Sequence, residues 1–358
     1  MKRRTAAAKP TTLPGGAGLH RQGSPMSGPP DPTSIIGLST AFWDSQALLT
    51  ANRLGLFDAL ADGPRSAGQV AQALQLDARS TGLLMRACCA LGFLQAEGEQ
   101  FANTPTAATF LVRRSPAFMG NVIRYSDQLY DTWGKLETAV RSGRPALAPE
   151  RYLGDDPART RAFVVAMHER ALGLARALVG LLDLSGRRSM LDVGGGPGTY
   201  SALLTGSFAG LKAEVLELPG VAAVARELLA QAGAADRVSV RDGDYHVADF
   251  GQGHDVVLMS GMFHRESEAS CRDLIARAAS ALAPGGMLVV SDVFTDPGGT
   301  QPAFAAMFGL NMMLTAPDGG VHADADVQHW MVDAGFGALR MQPLPPPMPH
   351  RVLIGLRA

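Results

Sequence analysis

One nine-residue run, Met190-Leu191-Asp192-Val193-Gly194-Gly195-Gly196-Pro197-Gly198, constrains the fold of this chain more than any other stretch. Its apolar start (Met190, Leu191, Val193) reads as a buried parallel strand, and the following Thr199-Tyr200-Ser201-Ala202-Leu203-Leu204 reads as the start of a helix. A strand that turns into a helix through glycines lets a ligand lie against bare backbone at the helix's positive end. Many glycine-rich turns share this outline, so its meaning rests on what surrounds it.

After Gly186 the chain alternates strand and helix. The strands are Met190–Val193, Ala213–Glu217, Val238–Arg241, Asp255–Ser260 and Met287–Asp292; the helices fall near Tyr200–Leu204, Val221–Gln231 and Glu268–Leu282, the last ended by Pro284-Gly285-Gly286. Such alternation predicts a parallel sheet covered on both faces. The chain closes with a helix (Ala325–Ala334) and two strands, Gly337–Pro343 and Arg351–Leu356, whose short connection requires an antiparallel hairpin.

Two ligands suit a glycine turn in such a sheet: a dinucleotide and S-adenosylmethionine. A dinucleotide fingerprint needs Gly or Ala at position 199, which is Thr199, and a second βαβαβ half, where this chain has a hairpin. Glu217, 21 residues after Gly196, ends the second strand and can take both hydroxyls of a ribose in either case. Gly243-Asp244-Tyr245 after the third strand offers a carboxylate and an aromatic face to an adenine, and favours S-adenosylmethionine.

Upstream, Ile35–Leu111 carries short helices. Ala47, Ala51, Leu54 and Phe57 recur at helical spacing up to Gly63-Pro64. Ser66 and Gln69 form a capping box for a helix ending near Leu74, and a third helix runs from Ser80 to Gly92. Phe93-Leu94 and Gln100-Phe101 flank Glu97-Gly98 as a small hairpin. Three helices and a wing also serve DNA-binding regulators, but the third helix has only Arg79 and Arg86 as cations, too few for phosphate contacts and groove reading. With 32 basic against 33 acidic side chains, the net charge of −1 gives no reason to expect nucleic acid or an anionic membrane as partner. Phe118–Arg141 and Pro157–Leu182 read as further helices whose aromatic and Met residues either pack as core or wall a substrate pocket. Residues 1–34, rich in Pro, Gly and Ser, read as a disordered tail without a signal-peptide core. No apolar run is long enough to span a membrane, and Cys88, Cys89 and Cys271 lack metal-type spacing, which fits core packing in a reducing cytoplasm.

Asp192–Gly198, Glu217-Leu218-Pro219, Gly243-Asp244-Tyr245, His264, Pro284-Gly285-Gly286 and Ala334-Gly335-Phe336 stand in the order and spacing of a known family. From Ile35 to Ala358 the chain resembles the small-molecule O-methyltransferases of the caffeic-acid, hydroxyindole and bacterial polyketide-tailoring type. The resemblance implies a class I methyltransferase, Rossmann-like α/β sheet in strand order 3-2-1-4-5-7-6 over residues 187–358. It also implies a winged-helix dimerisation domain over 35–115, connecting helices lining the pocket over 116–186, and an intertwined homodimer. The cofactor it implies is S-adenosyl-L-methionine, expected to be held by Asp192, Gly194, Gly196, Glu217, Leu218, Gly243, Asp244, Tyr245 and Ser260. The acceptor it implies is a small, aromatic secondary metabolite with a hydroxyl to methylate, and His264 matches the family's general base.

The neighbours of His264 depart from the family pattern. His264-Arg265-Glu266 replaces the usual His-Asp-Trp, Ser260-Gly261 stands where a cation commonly touches the cofactor, and His322 occupies the place of a base-orienting Glu. His322 is therefore the second catalytic candidate, supporting the base or contacting substrate. Two histidines also suit a metal, as in a branch of the family that C-methylates α-keto acids through a metal-stabilised enolate. In that alternative His264 and His322 are ligands, and the site is completed by the substrate or by a third ligand, for which His168, His246 and Asp292 are available. His254, His329 and His350 read as surface or loop residues. Phe263, Phe304, Met307, Phe308, Met312 and Met313 read as pocket wall or as core.

Overall fold

The computed structural model describes residues 30–147 and 156–358. The first 29 residues of the expected tail lie outside them, and Thr33 and Ser34 already belong to the first helix. Contacts divide the chain into two compact units at Pro116/Ala117.

The first unit contains helices α1 (Thr33–Thr40), α2 (Phe42–Leu54), α3 (Leu56–Ala59), α4 (Ala67–Leu74), α5 (Ala78–Ala90) and α6 (Pro105–Phe110). Strands β1 (Arg65–Ser66), β2 (Leu94–Glu97) and β3 (Gln100–Asn103) pair antiparallel in the order β1-β3-β2. The Ser66/Gln69 capping box starts α4 as its sequence requires. Asp77, whose side chain accepts from Ser80 N at 2.8 Å, moves the start of α5 upstream of the expected Ser80. The single periodic stretch expected up to Gly63 is interrupted at Gly55, whose φ of +75° suits only a glycine comfortably, so that α2 and α3 are separate.

The second unit opens with α7 (Gly120–Trp133), α8 (Leu136–Ser142) and α9 (Pro157–Leu181). Gly134 divides what the periodicity alone presents as one helix over 118–141. The alternating part follows: β4 (Ser189–Val193), α10 (Thr199–Ser207), β5 (Lys212–Glu217), α11 (Pro219–Gln231), β6 (Val238–Asp242), β7 (His254–Ser260), α12 (Glu268–Ala281) and β8 (Leu282–Asp292). Then come α13 (Ala303–Met313), α14 (Asp324–Asp333), β9 (Phe336–Pro343) and β10 (Arg351–Arg357). The seven strands lie in the order β6-β5-β4-β7-β8-β10-β9, with β10 antiparallel to both neighbours. In domain numbering this is the expected 3-2-1-4-5-7-6.

Period-two alternation sorts the strand side chains between two cores. Leu191, Val193, Val257, Met259, Leu288 and Val290 pack on the α12 and α14 side, against Leu274, Ile275, Val327 and Trp330. Met190, Val215, Val256, Leu258, Met287 and Val289 pack on the other face, against Leu178, Leu204 and Leu229. Two elements differ from expectation. β8 begins at Leu282, ahead of Pro284-Gly285-Gly286, because Leu282 already pairs with His254 on β7. The apolar run at 303–313 folds as a helix, entered through Pro302, and carries part of a pocket wall.

Candidate active site

The sheet order reverses at β4, which pairs with β5 on one side and β7 on the other. Ligands of open α/β sheets bind outside the carboxyl ends of the strands at such a point. A cavity of about 350 Å³ opens there, within the second unit and within the range of small-molecule sites.

Its floor is the turn from β4 to α10. Gly194, Gly196 and Gly198 have φ of +63°, +54° and +71°, which an L side chain adopts only under strain. Gly195 is required for space: a Cβ there would lie 2.6 Å from Asp192 Cγ. Asp192 is fully buried beneath the turn and does not line the cavity. Its Oδ2 accepts from Ser201 Oγ at 2.6 Å, and burial pushes its carboxyl up to about 7 against that hydrogen bond. Asp192 therefore fixes the turn from below. Gly243 likewise stays behind the wall, against Leu216 and Ala248.

Glu217 ends β5 with both oxygens aimed by backbone. Oε2 accepts from Gly196 N at 2.9 Å and Oε1 from Leu218 N at 2.8 Å. Each carboxylate oxygen keeps a further lone pair for a diol. Burial raises its pKa against those two hydrogen bonds. Beyond it, Asp244 Oδ1 accepts from His246 N and Nδ1 at 2.9 and 2.8 Å, and no described group bonds its Oδ2. Burial opposes ionisation of Asp244, but His246 outweighs it and holds the carboxyl below its usual value. The Tyr245 ring lies against Gly194, and its hydroxyl donates to buried Glu266 at 2.6 Å. Leu218 and Ser260 also line the cavity, and Ser260 Oγ is buried with no hydrogen-bond partner among the described residues. Bare backbone, a ribose-ready carboxylate, an aromatic plate beside Asp244 and an unspent hydroxyl fit an adenosine bearing a polar side arm.

His264 reaches the cavity from the turn after β7. Gly261 (φ +70°) takes the chain off the strand while its N–H still bonds Ser291 O of β8, and a single 3-10 turn, Phe263–Arg265, follows. His264 Nδ1 lies 2.7 Å from Oδ1 of Asp292, the last residue of β8. Burial alone would drive the Asp292 carboxyl up; the His264 imidazole outweighs it, with Val293 N adding a 2.7 Å hydrogen bond, and holds it low. A charged Asp292 accepts from Nδ1–H, so the lone pair of His264 is on Nε2, which no described residue occupies. Phe308 of α13 meets the imidazole edge-on at 4.9 Å, fixing the ring plane.

The structure separates the two histidines paired in the sequence reading. His322 does not line the cavity. Its Nε2 donates to Phe263 O at 3.1 Å and Glu266 O at 2.9 Å, the two ends of the turn that carries His264, and its ring packs edge-on against Trp330. His322 braces the turn that carries His264 through backbone. Among the described residues no three His, Cys, Asp or Glu side chains converge as a metal site would require. His168 is spent on Thr199 Oγ1 at 2.7 Å, and His246 bridges Asp244 and Glu266. His350, expected at the surface, is 5% exposed and lines the cavity. The Asp292 pairing carries no local sequence signal beyond a carboxylate at a strand end. Arg170 and His350, from α9 and the β9–β10 connection, come together only through the tertiary fold.

A glycine cradle, a buried carboxylate aimed by two backbone N–H groups and an acid-supported imidazole at the switch point of this sheet are the parts of a class I S-adenosylmethionine-dependent methyltransferase. Residues 133–337 match the O-methyltransferase domain family model, and residues 36–113 match the O-methyltransferase dimerisation domain. The chain is 33% identical over 334 residues to a 3-hydroxy-5-methyl-1-naphthoate 3-O-methyltransferase from Streptomyces sahachiroi, covering 91% of this chain and 96% of the relative. It is 32% identical over 311 residues to the N,N-dimethyltransferase OxyT from Streptomyces rimosus, covering 85% and 90%. The structure of an O-methyltransferase family protein from Burkholderia thailandensis superimposes with a TM-score of 0.83 at 26% identity, covering 92% of this chain and 99% of that one. The chain belongs to the O-methyltransferase family and is an S-adenosylmethionine-dependent enzyme.

Proposed function

We propose that this enzyme methylates a hydroxyl of a small aromatic secondary metabolite, with His264 as general base and Asp292 as the residue that holds it. The observation that carries this reading is the 2.7 Å His264–Asp292 contact, which leaves Nε2 open at a cavity walled by Phe163, Met167, Phe308 and Met312. S-Adenosylmethionine, when bound, supplies an electrophilic methyl on a sulfonium. The protein's part is to align the acceptor oxygen and take its proton, two tasks that proximity and a positioned base perform. Asp292 keeps the imidazole in the tautomer that accepts at Nε2 and stabilises the imidazolium that forms. The apolar walls exclude water and favour a flat ring. Glu217, Leu218, Asp244, Tyr245 and the Gly194–Gly196 backbone hold the cofactor, and Asp192 holds the turn.

The enzyme works as a homodimer in the cytoplasm. Support comes from the matched dimerisation domain and from Ile35, Ile36, Leu38, Phe42 and Trp43 of α1 and α2, all exposed. No helix among the described residues is long and apolar enough to cross a membrane. The test is a panel of phenols and aromatic amines incubated with S-adenosylmethionine and scored by mass gain of one methyl. Phenols gain the methyl with wild-type enzyme and fail with His264→Ala. Amine-only products, or undiminished turnover by His264→Ala, would overturn the assignment.

A further inference from the structure

Three carboxylates serve the cavity, and each has its partner. Glu217 is held by backbone N–H groups, Asp244 by His246, and Asp292 by His264 and Val293 N. The one cation that α9 sends into the cavity is not matched in this way. Arg159 and Arg161, earlier on α9, form ion pairs with Asp156 and Glu227. Glu169, the neighbour of Arg170, turns to Asn121 and the start of α7. Arg170 is half-buried, lines the cavity and has no carboxylate within ion-pair distance among the described residues. Its guanidinium sits 5.7 Å from the centre of the Phe308 ring, the same ring that His264 meets edge-on.

A second unspent group lies close by. His350 is buried and lines the cavity, and its Nδ1 has no partner among the described residues. Burial pushes it down to about 4 against the pull of Asp292, with the Arg170 charge adding to the fall, so the ring is neutral and can donate one N–H. A half-buried cation and a buried ring nitrogen each lose hydration; the cation calls for an anionic acceptor, and the neutral ring can donate a second hydrogen bond to it. Among the described residues none supplies that group within ion-pair distance of Arg170.

We propose that Arg170, with His350 beside it, is a carboxylate subsite, and that the acceptor is a hydroxylated aromatic acid. Its carboxylate meets the guanidinium fork, its ring lies along the apolar wall beside Phe308 and Met312, and its hydroxyl meets His264. The planar fork of arginine suits two parallel bonds to a carboxylate, which also fixes the in-plane orientation of the ring and hence which hydroxyl is methylated. This rests on the reading of His264 as the base of an oxygen methyltransferase and adds to it the class of acceptor. The other carboxylate available at this site is that of the cofactor's methionyl arm, and the experiment separates the two.

The experiment compares 3-, 6- and 7-hydroxy-2-naphthoic acids with their carboxamides, using wild type, Arg170→Gln and Arg170→Lys. With wild type, at least one acid is preferred to its amide. Arg170→Gln raises KM for that acid by about tenfold to a hundredfold, the range of a lost charge-assisted hydrogen-bond pair, and leaves the amide and the affinity for S-adenosylhomocysteine unchanged. Arg170→Lys recovers part of the loss for the acid alone, and amide turnover reports that each variant is folded. Equal losses for acid and amide, a wild type indifferent between them, or weakened S-adenosylhomocysteine binding in Arg170→Gln would each overturn the subsite. Equilibrium binding of the same acids to protein loaded with S-adenosylhomocysteine keeps the two readings apart. Acid binding that depends on Arg170 without methyl transfer breaks the reading of His264 and leaves the subsite standing. Methylated phenols without Arg170-dependent binding do the reverse.

Discussion

The two halves of the cavity are built from different materials. The half we assign to the cofactor is mostly backbone: three left-handed glycines, and a glutamate whose oxygens are aimed by two main-chain N–H groups. The half we assign to the acceptor is made of side chains from distant segments: Arg170 on α9, His264 after β7, Phe308 on α13 and His350 before β10. A backbone cradle accepts one ligand and tolerates sequence drift around it. A side-chain wall can be rebuilt residue by residue while the cradle stays the same.

The largest expected effect falls on the acceptor half. His264→Ala lowers kcat by about 10²- to 10⁴-fold, the contribution of a positioned general base, while S-adenosylhomocysteine affinity by calorimetry stays at the wild-type value. Loss of cofactor binding in that variant would break the division between the halves. Asp292→Asn follows, with kcat down by about a hundredfold, because an amide can present its N–H to Nδ1 and turn the imidazole to the wrong tautomer. A variant with wild-type kcat would remove Asp292 from the mechanism.

Different amounts of the two halves were legible in the sequence. The cofactor half is local: Asp192–Gly198, Glu217 and Asp244 each follow a strand end, so a pattern of strands fixes their positions before any contact is known. Even so, strand position does not distinguish the residue that touches the ligand from the one that braces it, and Asp192 and Gly243 proved to lie behind the wall. In the acceptor half only His264 has a local signal. Its partner Asp292 lies 28 residues away across a β7–β8 pairing, and a carboxylate at a strand end suits a metal ligand equally well. His350 looks like loop in a stretch crowded with prolines, and only the packed β9–β10 connection buries it.

The cofactor half is sharpened by pH. Asp192 is held up to about 7 in the folded protein, above the ordinary carboxylate value that it regains on unfolding. Between about pH 4 and 7 the native state therefore binds the extra proton, and stability falls as pH rises through that window and levels off above it. The ceiling is about 1.4 kcal/mol per pH unit. Asp192→Asn, which keeps an acceptor for Ser201, loses that slope in urea titrations run across the window; an unchanged slope would sink the account. Gly195→Ala tests the same floor sterically. Its Cβ has only the Asp192 carboxyl to move into, which costs about 1–3 kcal/mol as overpacking and weakens S-adenosylhomocysteine binding along with the melting temperature.

The smallest effect separates the two imidazoles. His264 and His322 are two histidines at one end of the sheet, but the first opens a nitrogen to the cavity and the second gives its own to Phe263 O and Glu266 O. His322→Phe keeps a ring to pack against Trp330 and removes the side-chain donor from both carbonyls; Phe263 O keeps the Glu266 N–H, and Glu266 O is left unpaired. A buried carbonyl left unpaired costs about 1–3 kcal/mol, part of which appears as a looser 3-10 turn and a less well-placed base. The expected result is kcat lowered by about tenfold, with the shape of the pH–rate profile and the S-adenosylhomocysteine affinity unchanged, and with no response to added divalent or ferric ions. A folded His322→Phe as inactive as His264→Ala, or wild-type activity that chelation removes and metal restores, would mean that the second imidazole takes part in the chemistry. The backbone bonds to Phe263 and Glu266 argue for the first outcome, because a nitrogen already donating its proton to two carbonyls has no lone pair left for a metal or a substrate.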